Sequence, residues 1–200
     1  MRVLAVALLL LAAPALAQVT PGDRFQVSPR DLPPPHATPS AGNAPEAVPR
    51  PKGTSLTVPA GYRATLFAEG LDHARNLIAA PDGTVILAQS RQDRITTLKD
   101  DDGDGRADRV ATFADGFDQP HGLALHGGDL WVADLQGVWR LPWPQGGKRQ
   151  RVTPPGALGD TGGHWTRNLA IAPKGDRFYV AIGSEGNIAE EPPPRATIRE

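Results

Sequence analysis

"RNLIAAPDGTVILAQS", residues 75–90, reads as a short apolar strand, a Pro-Asp-Gly turn and a second apolar strand. An Asp-Gly pair between two such runs signals a hairpin, because the glycine supplies the positive φ that a tight turn demands. The theme returns as "HGLALHGGDLWVADLQ" (121–136) and as "RNLAIAPKGDRFYVAIGS" (167–184). The first leucines of the three units, Leu77, Leu123 and Leu169, stand 46 residues apart each time. A period in the forties with several strands per unit predicts an all-β protein built of β-propeller blades. No amphipathic helical pattern separates the hairpins, which excludes helical and leucine-rich repeats.

Residues 55–200 accommodate about three units of this length, whereas propellers close with roughly four to eight blades. "YRATLFA" (62–68) reads as a lone first strand of the kind that pairs with a chain's end to shut a ring. The expectation is therefore a partial propeller over 53–200, the front part of a longer protein, truncated at its C-terminus.

Ahead of the repeats lie two segments of different character. "MRVLAVALLLLAAPALAQ" has a positive start at Arg2, an apolar run from Val3 to Ala13 and an Ala-x-Ala pattern ending at Ala17. That apolar run is shorter than the ~20 residues a membrane-spanning helix needs, so residues 1–17 read as a secretory signal peptide. Export would place the protein in the periplasm or outside the cell. Residues 18–52 hold nine prolines, a density that blocks helix and sheet ladders and predicts an exposed arm or linker. Phe25 and Leu32 are its apolar anchors.

The chain has no cysteine, which removes thiol catalysis, disulfides, c-type haem attachment and cysteine-ligated zinc. A net charge of −1 with scattered basic residues argues against a nucleic-acid partner. No later segment is apolar enough for an integral membrane span.

"DDDGDGRAD" (100–108) sets Asp100, Asp102, Asp104 and Asp108 in a D-x-D-x-D-G-x-x-D arrangement. Calcium takes six to eight hard oxygens, and alternate positions of a tight loop aim carboxylates inward. The Arg106 carbonyl is a further candidate ligand, and Gly105 permits the turn. Two readings stand: a structural calcium clip, or a solvated Asp/Gly turn. Unneutralised, so many carboxylates repel one another, which favours the clip. A complete EF-hand is absent, since its last position falls on Ala111 and the loop lies between strands Arg94–Leu98 and Arg109–Phe113.

In a propeller the inner strands line a central channel, and ligands favour such mouths. The residues just before the repeat leucines are Arg75-Asn76, His121-Gly122 and Arg167-Asn168. Polar groups at equivalent positions converge on one axis, which suits an anionic or polyhydroxylated ligand. Upstream of the third unit, "GGHWTRN" (162–168) places His164 after two glycines. Such a ring is either a loop histidine bonded to backbone or a general base at the channel mouth. Trp131, Trp139, Trp143 and Trp165 read as blade-packing aromatics, with Trp165 a candidate sugar platform beside His164. His121 reads as the less functional of the two channel histidines.

"HWTRNLAIAPKGDRFYVAIGSEGN" resembles the soluble quinoprotein sugar dehydrogenases, propellers that use pyrroloquinoline quinone (PQQ). "DLPPPHATPSAGNAPEAVPRP", "QPHGLAL", "ADLQGVWRLPW" and "GSEGNIAEEPPPRAT" are most similar to the sorbosone dehydrogenase branch. The resemblance implies a six-bladed propeller for the full-length parent, of which about three blades are present here. It implies oxidation of an aldose or sugar-derived hydroxy-aldehyde, with PQQ and calcium as cofactors and a periplasmic electron acceptor as partner. The family's general-base histidine stands five residues before the strand leucine, as His164 stands before Leu169. That role carries over to His164, and the cofactor-contacting glutamine maps nearest to Gln119. Arg75, Arg167 and Asn168 are the further cofactor-binding candidates. Two departures stand out. Gly163 occupies the place of the aspartate that precedes the histidine in the glucose enzymes, and the groups holding the PQQ carboxylates and the cofactor calcium belong to later blades. Two other classes fit the fold: a calcium-dependent sugar lactonase, against which the Arg, Asn and His at the inner positions argue, and a non-catalytic binding module.

Overall fold

A computed structural model describes residues 22–34, 37, 45–46, 48–49, 51–187 and 190–200. The expected signal peptide, 1–17, lies outside the described residues. The chain divides into two units, Met1–Thr54 and Ser55–Glu200.

In the first unit, Pro29–Asp31 form one 3-10 turn closed by a capping box. The Ser28 hydroxyl accepts from the Arg30 N–H at 3.2 Å, and the Asp31 carboxylate accepts from the Ser28 N–H at 2.8 Å. Phe25 and Leu32 are both exposed.

The second unit consists of three antiparallel sheets. The first holds β1 (Ala74–Ala79), β2 (Val85–Gln89), β3 (Arg94–Lys99) and β4 (Arg109–Ala114), in that spatial order. The second holds β5 (Gly122–His126), β6 (Asp129–Ala133), β7 (Val138–Pro142) and β8 (Gln150–Arg151). In the third, β10 (Phe178–Ile182) lies between β9 (Arg167–Ile171) and β11 (Thr197–Arg199). These are propeller blades, and the fold is an all-β propeller. The hairpins inferred from the repeat pair as expected, with Leu77 opposite Leu87, Leu123 opposite Val132 and Leu169 opposite Val180. The 62–68 strand is a correction. That segment is irregular, and its Phe67 carbonyl takes one backbone bond, from Ala107 in the turn before β4.

The blades adhere through two apolar layers. Ile86, Ala88 and Ile95 of the first blade pack with Leu123, Leu130, Val132 and Leu141 of the second. Ala133 and Val138 of the second pack with Leu158, Val180 and Ile182 of the third, and Leu169 joins them. Each anchor leucine thus faces the preceding blade. Leu123 is 5% exposed, whereas Leu77 is 59% exposed because no preceding blade exists among the described residues.

The inner strands β1, β5 and β9 run side by side and come very close. A Cβ on Gly122 would lie 2.5 Å from the Arg167 carbonyl oxygen, so only glycine fits beside His121. Asn76 donates to the His121 carbonyl at 2.8 Å and Ser90 to the Pro120 carbonyl at 2.7 Å, fixing the register of the first two blades.

Candidate functional site

Why a glycine directly precedes His164 is answered by a second close approach, whereas a Cβ on Gly162 would meet open space. At that approach Gly163 and His164 run against 183–185, and the contact leaves no room for a side chain at Gly163 or Gly183. A Cβ on Gly163 would sit 2.1 Å from the Glu185 carbonyl oxygen, and one on Gly183 would clash with the His164 carbonyl. Gly163 also has a φ of +62°, which L side chains adopt at a cost. The His164 N–H donates to the Ser184 carbonyl at 2.8 Å, and its ring Nδ1 lies 2.6 Å from the Ser184 hydroxyl. That hydroxyl gives its only proton to the Gly186 carbonyl at 2.9 Å, so it accepts from His164. The neutral ring therefore carries its proton on Nδ1, and Nε2 keeps a free lone pair. His164 is exposed, and an exposed imidazole with an open Nε2 can take a proton from an approaching hydroxyl.

Beside this loop the structure gathers His121, Trp165, Arg75 and Asn168. The rings of His121 and Trp165 meet edge to face with centroids 5.7 Å apart, and the Arg75 guanidinium lies 5.6 Å from the Trp165 ring centre. Burial pushes the His121 imidazole below its ordinary pKa, and Arg75 pushes it the same way; a hydrogen bond that the ring donates to the Asn168 side chain opposes both. His121 Nδ1 is buried without a partner among the described residues. Its repeat position alone gives His121 little functional weight. The signal for its position was the glycine after it, which marks where β5 and β9 converge.

Of the expected cofactor residues, Arg75 and Asn168 are exposed and converge on Trp165 and His121. Gln119 sits on the turn ahead of β5 with φ +50°, its N–H held by the Asp93 carboxylate at 3.0 Å. Arg167 is a correction. It is 1% exposed, and its guanidinium donates to the carbonyls of Trp165, Thr166, Leu158 and Asp160. Those four bonds leave it a brace of the loop instead of a ligand group. Trp165 stands apart from the other tryptophans, as the residues allowed. Trp131 packs on Phe178, Trp143 on Phe113, and Trp139 under Arg149 and Arg151.

The acidic loop is built differently. Carboxylate oxygens of Asp100, Asp102 and Asp108 lie within 4.8 Å of one another. Asp100 accepts from the Gly103 N–H at 2.7 Å and the Gly105 N–H at 2.9 Å. These bonds, the Gly105 one foremost, hold its carboxyl below the ordinary range. Asp104 does not join the trio; its carboxylate accepts from the Arg106 N–H at 2.8 Å. Expected as a ligand, Asp104 here forms a turn in which the Arg106 N–H is its donor.

Among the described residues no helix is long and apolar enough to cross a membrane. Three solved structures are similar in fold. One is the holo form of the PQQ domain of pyranose dehydrogenase from Coprinopsis cinerea, 21% identical over 60% of this chain and 30% of that one, with a TM-score of 0.50. The others are the iodide and calcium structures of a family AA12 carbohydrate-active enzyme from Trichoderma reesei. Each is 20% identical with a TM-score of 0.51, covering 62% and 61% of this chain and 33% and 32% of those chains. The chain thus spans about a third of the length of these structures. No curated protein matches it. Residues 56–199, all three blades included, match the family described as TrAA12-like, and the chain belongs to that family.

Proposed function

We propose that this chain is part of a secreted or periplasmic quinoprotein oxidoreductase acting on an aldose or a sugar-derived, sorbosone-like hydroxy-aldehyde. In this reading a six-bladed parent propeller includes the described blades, with residues 18–52 as its arm. The observation that carries the reading is the open Nε2 of His164 in a TrAA12-like chain, next to a cluster of Arg75, Asn168, His121 and Trp165. The cluster suits an acidic, planar group. Arg75 supplies a cation, Trp165 a stacking face, and His121 Nδ1 a buried polar atom without a partner.

Arg75, Asn168 and, at the rim, Gln119 would hold PQQ. When bound, PQQ supplies the two-electron acceptor for hydride from the sugar carbon. His164 Nε2 takes the proton of the sugar hydroxyl, and the Ser184 hydroxyl keeps the ring in the tautomer that leaves Nε2 free. Burial and Arg75 bias His121 toward its neutral form, which lowers its tendency to add positive charge at the mouth. Calcium enters this reading twice: as the cofactor's ion, held by parts of the parent beyond these blades, and as a clip on Asp100, Asp102 and Asp108. The three converging carboxylates offer the hard oxygen donors that ion prefers.

Reconstitution tests the reading. The chain and its longer parent are supplied with PQQ and calcium, and dye reduction is followed with a panel of aldoses. Activity in the parent that disappears in His164→Ala supports it. A folded parent that neither binds PQQ nor reduces dye overturns it.

A further inference from the structure

Two guanidiniums lie buried beneath the His164 loop, and neither forms a salt bridge among the described residues. Arg167 is 1% exposed and Arg195 6%. Burying a cation without a carboxylate is costly, and two such cations side by side repel. Burial, and then the nearby Arg195 charge, lower the Arg167 pKa. What offsets the cost is a set of backbone carbonyls. Arg195 donates to the Asp160 carbonyl at 2.5 Å and to those of Gly162 and Ser184 at 2.6 Å each. Arg167 reaches the same Asp160 carbonyl from the other side at 2.7 Å.

The targets of Arg195 are informative. Gly162 lies two residues before His164. The Ser184 carbonyl also receives the His164 N–H, and the Ser184 hydroxyl receives the ring Nδ1–H. One planar fork therefore ties both strands of the histidine's support together, across 33 residues on one side and 11 on the other. Lysine offers no such fork. We propose that Arg195 is a positioning residue for His164, locking loop 160–164 to Ser184 so that the imidazole holds a single tautomer with Nε2 presented outward. This rests on the reading of His164 as a base, and it assigns the orienting work to a residue 31 positions downstream that touches no part of the ring.

Nitrogen NMR of the His164 ring in the folded chain, with no quinone present, tests it apart from catalysis. In the wild-type chain the ring shows one tautomer, protonated on Nδ1. Arg195→Lys keeps the charge and loses the fork. Its expected spectrum is a mixture of both tautomers, with the His126 ring signals unmoved as the mark of a chain that is still folded. In Arg195→Ala, millimolar methylguanidinium restores the single tautomer. In the reconstituted parent, Arg195→Lys lowers kcat about tenfold and leaves KM within a factor of two. A His164 spectrum unaltered in folded Arg195→Lys overturns the proposal, leaving Arg195 a structural brace. A spectrum that responds in a parent without quinone activity upholds the positioning and sinks the proposed function alone.

Discussion

Two glycine-bearing loops carry the candidate chemistry, and they are held in opposite ways. The acidic loop, 100–108, organises itself. Its carboxylates bond to N–H groups two to seven residues away, and its one ion pair, Asp101 with Arg109 at 2.5 Å, is exposed. The loop before β9 is organised from elsewhere, through buried guanidiniums and through Gly163 pressed against the Glu185 backbone. A self-organised loop tolerates local change and depends little on its surroundings. A loop clamped from below inherits the rigidity of the blade beneath it, and this suits a group that must present one nitrogen in one direction.

The sharpest way to break this contrast is to fill the glycines. Gly163→Ala meets the Glu185 backbone and a left-handed φ together, so a loss of about 3 kcal/mol or more is expected in denaturant unfolding. Gly105→Ala has the left-handed φ of +87° but only the Thr65 hydroxyl at 3.6 Å, and is expected to cost about 1 kcal/mol. Equal losses would erase the distinction. Arg167→Met tests the clamp: the Trp165 and Leu158 carbonyls lose this donor while Asp160 keeps Arg195 and Thr166 keeps the Gly183 N–H, and destabilisation of about 2–3 kcal/mol is expected in the same assay. A neutral result would mean that water replaces the guanidinium freely.

Smaller effects sharpen the comparison. His121 has a lowered pKa in the folded chain, so the unfolded chain takes up the proton first as pH falls. The neutral ring costs nothing above the ordinary histidine range, and stability declines as pH drops through it. Melting temperatures at about pH 7.5 and about pH 5.5 are expected to differ less in His121→Gln than in the wild type. Smallest of all, millimolar calcium is expected to raise the melting temperature by a few degrees, and Asp102→Asn to abolish that rise. A rise that survives in Asp102→Asn would place the ion elsewhere.

The same contrast explains what could be read from the residues. The three hairpins, the 46-residue period and the strands flanking the acidic loop were legible because turn chemistry and alternation act over short distances. Asp100, Asp102 and Asp108 were legible for that reason. That Asp104 stands outside this group was not, because Asp102 and Asp104 share the same spacing and the same bond to the N–H two residues on. Arg167 looked like a channel residue by its repeat position, and only packing shows that its guanidinium turns inward. Ser184, Arg195 and His121 gave little signal, since their partners lie 20, 33 and 45 residues away.

The one-way orientation of the anchor leucines has a consequence for association. Each interface between blades joins two unlike surfaces, a leucine-bearing face and the back of its predecessor. The first blade shows Leu77 and Val110, and the third shows Ile198 beside an open cleft of about 440 Å³ lined by Val152, Leu158 and Phe178. Contacts that repeat this geometry are heterologous, head to tail, and lack the self-complementarity of a two-fold pair. Addition of such units either closes a ring or runs on as a filament, and the rotation between successive sheets decides which.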